Sequence, residues 1–202
     1  SKKIHSSLMT RGVPGTHDIN MMLDFFKRIK RKEFRSLKLP KFNKAIDDRY
    51  NKKFCHSIKK RPDIIIFEGW CVGAKAEKNN TLKQPINSFE KLRDKKLIWR
   101  RYVNKQLQSK YKQLYDQLNC LLYIKSNNFS LLRKWRIKQE TKLRLKNKRS
   151  NRNKIMSNKE VINFMQTYQR VTQNMLKTVP KNASIILNLK SNHQIKSVIY
   201  NK

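Results

Sequence analysis

The sequence predicts an α/β layer fold with a largely parallel sheet, and two features of its apolar pattern favour this class. Short runs rich in β-branched residues, typical of buried strands, occur at 62–68, 120–124 and 184–189. Segments with apolar residues at helical spacing alternate with them, at 19–29, 87–118, 129–149 and 157–179. Strands that alternate with helices in this way pair in parallel through helical crossovers. At 202 residues the chain fits a single domain, 1–202, without internal repeats.

The first element is a tight turn at 11–18, Arg-Gly-Val-Pro-Gly-Thr-His-Asp, where two glycines and a proline fall within four residues. Asp18 is a candidate N-cap for the helix at 19–29. The turn would therefore present Thr16, His17 and backbone amides at a helix N-terminus, an arrangement that suits an anion. An ordinary capped loop would show the same residues.

The central strand is predicted at Pro62-Asp63-Ile64-Ile65-Ile66-Phe67-Glu68, and Gly69 ends it. Its four consecutive apolar residues are typical of a strand that is buried on both faces. Glu68 would then stand at the carboxyl edge of the sheet, where open α/β folds bind ligands. An acid at this position suits a Mg²⁺ site or the activation of a hydroxyl, although a strand that ends in a solvated acid would look alike.

Two capping-box patterns mark the starts of later helices, Asn87 with Glu90 and Ser157 with Glu160. Residues 39–49 mix charges of both signs around one aromatic and predict an exposed loop, which would suit either ligand contacts or a plain connector. Residues 195–200 predict a further short strand.

The charge of the chain is extreme, with 49 Lys and Arg against 13 Asp and Glu, a net charge of +36. Such a balance is typical of nucleic-acid binders. The basic residues are nevertheless spread over the whole chain and accompany many Asn and Ile, as expected of an AT-rich coding sequence. Nucleic acid is therefore a possible partner but not the favoured one, and a basic surface should also attract phosphorylated metabolites.

Three widely spaced cysteines, without C-x-x-C spacing, predict reduced thiols and no zinc site. No run approaches the ~20 apolar residues of a membrane span, and no signal-peptide pattern is present. These features predict a cytoplasmic protein without a membrane partner.

Five stretches together carry a resemblance to a known family; they are 11–18, 39–49, 67–74, 99–107 and 135–140. The chain resembles the P-loop kinases that include the glycerate kinases of plants, fungi and bacteria, relatives of uridine kinase and phosphoribulokinase. The match runs over nearly the whole chain, and the first and third stretches are its specific part.

The resemblance implies a P-loop NTPase-type three-layer fold and ATP-dependent phosphoryl transfer to a small hydroxylated acceptor, with D-glycerate the best-known case. It implies ATP and Mg²⁺ as cofactors. Phosphoryl transfer depends on positioning and on positive charge around the phosphate oxygens. The roles that the resemblance implies follow residue by residue: acceptor binding by Arg11, Thr16, His17, Lys44 and Arg49; catalysis by Asp18, Glu68 and Arg136; Mg²⁺ at Glu68; and closure over the phosphoryl group by Arg133 and Arg136 in a basic lid at 130–155.

The sequence departs from the family because no G-x-x-x-x-G-K-[ST] motif occurs among its 202 residues. Its glycines are Gly12, Gly15, Gly69 and Gly73. We therefore expect an N-terminally truncated kinase domain that lacks its first strands and is inactive alone, with the P-loop segment as a missing partner. The alternative is a non-catalytic basic module that binds RNA or another polyanion.

Overall fold

A computed structural model of the chain describes residues 4–9, 11–43, 48–146 and 155–201. The helices are α1 (Ile19–Ile29), α2 (Ser88–Arg93), α3 (Ile98–Gln106), α4 (Lys112–Tyr115), α5 (Phe129–Lys146) and α6 (Asn158–Thr178). The strands are β1 (Leu37–Leu39), β2 (Phe42–Asn43), β3 (Asp48–Arg49), β4 (His56–Ile58), β5 (Leu122–Lys125), β6 (Ile185–Leu189) and β7 (Ile195–Tyr200). Among these helices, none has the length and apolar character needed to cross a membrane.

The main sheet has the strand order β5-β6-β7. β5 and β6 pair in parallel, with Leu122 opposite Ile185, and α5 and α6 form the crossover that such a pair requires. β7 adds an antiparallel edge to β6. The predicted α/β class is thus confirmed, and β1 with β4 and β2 with β3 form two short antiparallel ribbons that the sequence pattern did not predict.

Several helix starts follow the predicted capping chemistry. The Asp18 carboxylate accepts the Met21 N–H at 3.1 Å and begins α1. Ser157 and Glu160 form a complete capping box at the start of α6. Asn87 accepts the Glu90 N–H at 3.0 Å and begins α2. These caps satisfy amides that have no intrahelical acceptor, which is why the helices begin at these residues.

The helix predicted at 87–118 is divided into three parts. Asp94 accepts the N–H groups of Trp99 and Arg100, so its carboxylate starts α3 as a second helix. Leu97, which lies between Asp94 and the start of α3, has a φ of 62° and changes the chain direction between α2 and α3. Leu107–Tyr111 then form a π-helical turn between α3 and α4.

The prediction of a buried central strand at 63–68 is wrong for this structure. The segment pairs with no strand among the described residues. Ile64 is 80% exposed and Ile66 is 88% exposed. The hydrophobic core lies instead between α1, the α3–α4 region, α6 and β6, and only Phe67 of this segment packs against it as a half-buried side chain.

Candidate functional site

The turn at 11–18 is anchored by two buried residues and one hydroxyl. Val13 and Pro14 are buried. The Thr16 hydroxyl accepts the Gly12 N–H at 2.8 Å and donates to the Val13 carbonyl at 2.7 Å. Thr16 therefore closes the turn itself, and one lone pair of its oxygen stays available for a ligand.

Two tyrosines of the α3–α4 region hold the next part of the turn. The Tyr111 hydroxyl accepts the Gly15 N–H at 2.9 Å, and the Tyr102 hydroxyl donates to the Gly15 carbonyl at 3.0 Å. Gly15 has a φ of 96°, a conformation that glycine adopts without strain. The π-helical turn that ends at Tyr111 thus brings a phenol to the turn, in keeping with the frequent placement of π turns at functional sites.

The ring of His17 is oriented by the same phenol. The Nδ1 atom of His17 lies 2.6 Å from the Tyr111 hydroxyl. Burial, with a smaller effect of the Arg11 charge, lowers the pKa of His17 below its usual value. Burial raises the pKa of Tyr111, which keeps the phenol protonated at neutral pH. His17 is therefore a neutral hydrogen-bonding group beside a cation.

Two arginines lie at the turn, Arg11 at its first position and Arg49 at the end of β3. The Arg11 guanidinium carbon lies 3.5 Å from the centroid of the Phe42 ring. The Arg49 Nη1 atom lies 3.5 Å from the Asp18 Oδ2 atom, and both side chains are about half exposed. The structure thus brings together Arg11, His17, Asp18 and Arg49, while Lys44 lies outside the described residues.

Glu68 is connected to the turn through Trp70. The Trp70 indole N–H donates to the Gly12 carbonyl at 2.8 Å, and its ring lies 4.7 Å from that of Tyr168 on α6. A Cβ atom on Gly12 would collide with the Tyr168 hydroxyl, so this junction requires glycine. Glu68 itself is exposed and lines a groove, so its predicted place at the edge of a buried sheet is wrong. The strand prediction failed here because Ile64 and Ile66 have no cover among the described residues.

Arg136 lies on α5 and is engaged within that helix. Its guanidinium pairs with the Glu140 carboxylate at 2.5 Å and donates to the Gln139 side chain at 2.9 Å. Its Nε atom is buried without a hydrogen-bond partner in the described part of the chain. Arg133, on the same helix, is half-buried. The lid predicted at 130–155 is therefore mostly helix α5, and residues 147–154 of it lie outside the described residues.

The described residues contain no group of three or more His, Cys, Asp or Glu side chains placed to hold a metal ion. Mg²⁺ is nevertheless bound in kinases by one or two carboxylates together with water and substrate phosphates. The exposed carboxylate of Glu68 has the donor chemistry for such a partial site. In that role it would be one ligand of the ion, whose charge would stabilise negative charge on phosphate oxygens.

A buried ion cluster joins α6 to α2 and α3. Arg170 donates from Nε and Nη2 to the two oxygens of Glu90, at 2.8 and 2.7 Å. Arg100 donates to Asp94 at 2.8 Å, and Glu77 lies 3.1 Å from Arg170. Glu90 is fully buried, and its charge is stabilised by this bidentate pair, by Arg100 Nη1 at 3.5 Å and by the Ile86 N–H at 3.0 Å. Its members lie up to 93 positions apart, so no local sequence pattern indicates the cluster.

Comparisons with known proteins place this geometry in a family context. No family model matches the chain. The chloroplastic D-glycerate 3-kinase of Arabidopsis thaliana is 24% identical over an alignment of 164 residues, with coverage of 78% of this chain and 32% of the plant protein. The solved structure of the D-glycerate 3-kinase of Cryptococcus neoformans matches with a TM-score of 0.75 and 22% identity, over 99% of this chain and 72% of that one.

The chain has the glycerate kinase fold. The structure of the YGR205w protein gives a second match, with a TM-score of 0.71 and 22% identity, over 98% of this chain and 69% of that one. The resemblance found in the sequence is thus confirmed at the level of fold and homology. The chain spans about a third of the length of its curated plant relative.

Structure also identified residues whose roles the sequence did not reveal. Tyr102 and Tyr111 appear in the sequence as parts of an apolar helix stripe, yet their hydroxyl groups hold the turn. Phe42 supports Arg11, and Trp70 joins the turn to the Glu68 segment. The signal available in advance was the polar group of the two tyrosines and of Trp70, since a buried tyrosine or tryptophan needs a hydrogen-bond partner.

Proposed function

We propose that this chain carries the acceptor-binding part of an ATP-dependent kinase whose substrate is a small hydroxylated acid, with D-glycerate the leading candidate. The turn at 11–18 carries the proposal, because within a glycerate kinase fold it gathers two arginines and a neutral histidine at the start of a helix. The homology to a protein named D-glycerate 3-kinase supports the acceptor.

The arginines supply recognition of the acceptor carboxylate. The donors of a guanidinium lie in its plane, so stacking of Arg11 on Phe42 fixes the plane and leaves the N–H groups at its edge. Such a group binds a carboxylate through two parallel hydrogen bonds. Asp18 holds Arg49 nearby and caps α1, so in this proposal it is a positioning residue.

His17 supplies a directed hydrogen bond to the acceptor. The Tyr111 hydroxyl accepts from Gly15 and, in the proposal, donates its proton to Nδ1 of His17. The ring proton then resides on Nε2, which can donate to an oxygen of the acceptor. The lowered pKa keeps this tautomer neutral at physiological pH.

In P-loop kinases the ATP phosphates are bound by the backbone amides and the lysine of a G-x-x-x-x-G-K-[ST] motif. These 202 residues do not contain that motif. We propose that a phosphate-binding loop from outside this sequence completes the ATP site. Glu68 would hold Mg²⁺, and Arg133 and Arg136 would move toward the transferred phosphoryl group if α5 acts as a lid. The 202 residues alone should bind Mg-ATP poorly and lack kinase activity. A cytoplasmic location remains a prediction.

Titration calorimetry with D-glycerate tests the acceptor site without requiring ATP. We expect saturable binding that weakens roughly tenfold or more in Arg11→Gln and Arg49→Gln, because each loses a charge-assisted contact worth about 1.5–3 kcal/mol. Arg28→Gln, an exposed arginine at the other end of α1, is the matched control and should bind normally. Equal binding of acetate, or unchanged binding by both site variants, would contradict the proposal.

The net charge of +36 supports a second candidate, a non-catalytic module that binds RNA or another polyanion. On α5, Lys134 and Lys138 are exposed and could contact phosphates. Polyanion binding falls steeply with salt, whereas recognition of glycerate by a built site should survive physiological ionic strength. Salt-dependent binding of arbitrary RNA that survives near physiological ionic strength, without any glycerate binding, would favour this candidate.

A further inference from the structure

Two exposed aromatic rings lie side by side at one end of the ribbon that β2 and β3 form. The rings of Tyr50 and Phe54 have centroids 5.8 Å apart and an interplanar angle of 65°. Tyr50 is 37% exposed and Phe54 is 53% exposed, so both rings present apolar area to solvent. Single exposed apolar side chains are ordinary on protein surfaces, whereas adjacent ones form a patch that suits a binding partner.

Backbone hydrogen bonds determine where both rings lie. The Tyr50 N–H donates to the Lys41 carbonyl at 2.8 Å, which continues the pairing of β2 with β3 by one residue on each side. The Phe54 N–H donates to the Asn51 carbonyl at 2.9 Å, and the Asn51 side chain accepts the Lys53 N–H at 3.2 Å. This short turn returns Phe54 to Tyr50, so the ring pair follows from the local fold of the ribbon.

Each ring is accompanied by one exposed lysine. Lys41 Nζ lies 5.4 Å from the centroid of the Tyr50 ring, and Lys53 Nζ lies 5.2 Å from that of Phe54. Within the described ranges, no carboxylate lies at ion-pair distance from either ammonium group. Both charges can therefore pair with an external anion. These four residues are called the aromatic–lysine cluster below.

A nucleotide carries the two groups that this cluster can bind, a flat aromatic base and a phosphate anion. Bases stack on aromatic side chains while lysines contact the phosphates, and this combination binds single strands without sequence preference. The two rings stand at 65° to each other, so two bases that contact them cannot stay stacked on one another. A single strand can separate its bases in this way, whereas a duplex keeps them stacked.

Other partner classes suit the cluster less well. Lysine is depleted in protein interfaces, and here one lysine lies beside each ring. Insertion into a membrane would carry both ammonium groups toward the hydrocarbon, because they lie within 5.4 Å of the ring centroids. A second copy of the chain is disfavoured, since two chains of charge +36 repel each other.

We propose that the aromatic–lysine cluster binds single-stranded nucleic acid, with two adjacent bases stacked on Tyr50 and Phe54. Lys41 and Lys53 would pair with the phosphates of these nucleotides. The net charge of +36 would attract the strand to the surface, and the two rings would add affinity for unpaired bases. The cluster is separate from α5 and independent of the acceptor chemistry proposed above, so it would serve a kinase and a non-catalytic module alike.

Fluorescence anisotropy with a labelled oligouridylate of about 12 nucleotides tests the rings at physiological salt. We expect the double variant Tyr50→Leu with Phe54→Leu to raise Kd roughly tenfold or more, because leucine keeps apolar area but has no aromatic face. Tyr50→Trp keeps the aromatic face and should bind at least as tightly as the wild type. Tyr200→Leu, on β7 and at a side chain that is 75% exposed, is the matched control and should bind normally.

The salt dependence of the same binding tests the lysines. Lys41→Gln and Lys53→Gln should each reduce the slope of log K against log salt by about 0.7, as expected for one lost phosphate contact on a single strand. Lys177→Gln, an exposed lysine on α6, is the matched control and should leave the slope unchanged. All of these side chains are exposed, so urea unfolding should show wild-type stability for each variant.

Four results would overturn the proposal. The first is an unchanged Kd in the double leucine variant. The second is equal binding of a duplex of the same length, with the same losses in the variants. The third is full competition by uridine monophosphate at the nucleotide concentration of the oligomer, which would indicate a site for free nucleotides. The fourth is binding to phosphatidylserine vesicles that the leucine variant loses while oligouridylate binding persists. Glycerate binding is measured separately, so a failure here leaves the acceptor proposal standing, and the reverse also holds.

Discussion

Substitution of Gly15 by alanine should destabilise the fold by distorting the turn at the candidate site. Gly15 has a φ of 96°, and a Cβ atom there would lie 2.8 Å from Cγ of Gln106 and 3.0 Å from Cζ of Tyr102. Placing an L-residue in a left-handed conformation costs roughly 1–2 kcal/mol. Overpacking against a helix adds typically 1–3 kcal/mol. The two costs together predict a loss of about 2–5 kcal/mol in the free energy of unfolding.

Urea unfolding followed by tryptophan fluorescence measures this loss, and thermal unfolding should show a fall in Tm of roughly 4–20 °C for a chain of this size. Gly69→Ala is the matched control. Its Cβ would meet one methyl group of Val72 at 3.2 Å, and its φ does not lie in the left-handed region, so the cost should stay below about 1 kcal/mol. Equal stabilities of the two variants would refute the description of the turn as a tightly held element.

Three further substitutions test the surroundings of the turn. Arg170→Met should lower the free energy of unfolding, measured by chemical denaturation, by about 3–5 kcal/mol, because it leaves the buried Glu90 carboxylate without its bidentate partner. Lys177→Met, on the exposed side of α6, is the control and should leave the free energy of unfolding nearly unchanged. Tyr111→Phe should lower the free energy of unfolding by about 1–3 kcal/mol, since Gly15 and His17 lose their hydrogen-bond partner. Tyr200 is 75% exposed, so Tyr200→Phe is the control and should change the free energy of unfolding little. His17→Asn should flatten the pH dependence of stability on the acid side. The pKa of His17 is lowered in the folded state, so the unfolded chain takes up a proton first, and the wild-type protein loses stability as pH falls below about 6.5. Identical slopes for wild type and variant between about pH 7 and pH 5 would contradict this assignment.

Local signals in the sequence predicted the elements that depend on neighbouring residues. Asp18 and Ser157 were recognisable as caps because the amides that they satisfy lie within three positions. The apolar face of α1 was readable because Ile19, Phe26 and Ile29 recur at the helical period and are buried. The resemblance to glycerate kinases drew on several such stretches in order, and the fold confirmed it.

Features that depend on distant residues were not predictable in the same way. The run at 63–67 has the composition of a buried strand, but burial requires neighbours on both sides, and among the described residues it has none in register. The tyrosines whose hydroxyl groups bind Gly15 lie 87 and 96 positions away in the sequence, so no local pattern predicts these hydrogen bonds.

The acceptor site can be tested most directly by two-dimensional NMR of the 202-residue chain during titration with D-glycerate. The account predicts saturable shifts concentrated at the amides of 12–18, at the His17 ring and at Arg49, with the amides of α5 unaffected. Absence of shifts at the turn, or shifts spread evenly over the basic surface and abolished by moderate salt, would contradict the assignment of the turn as an acceptor site.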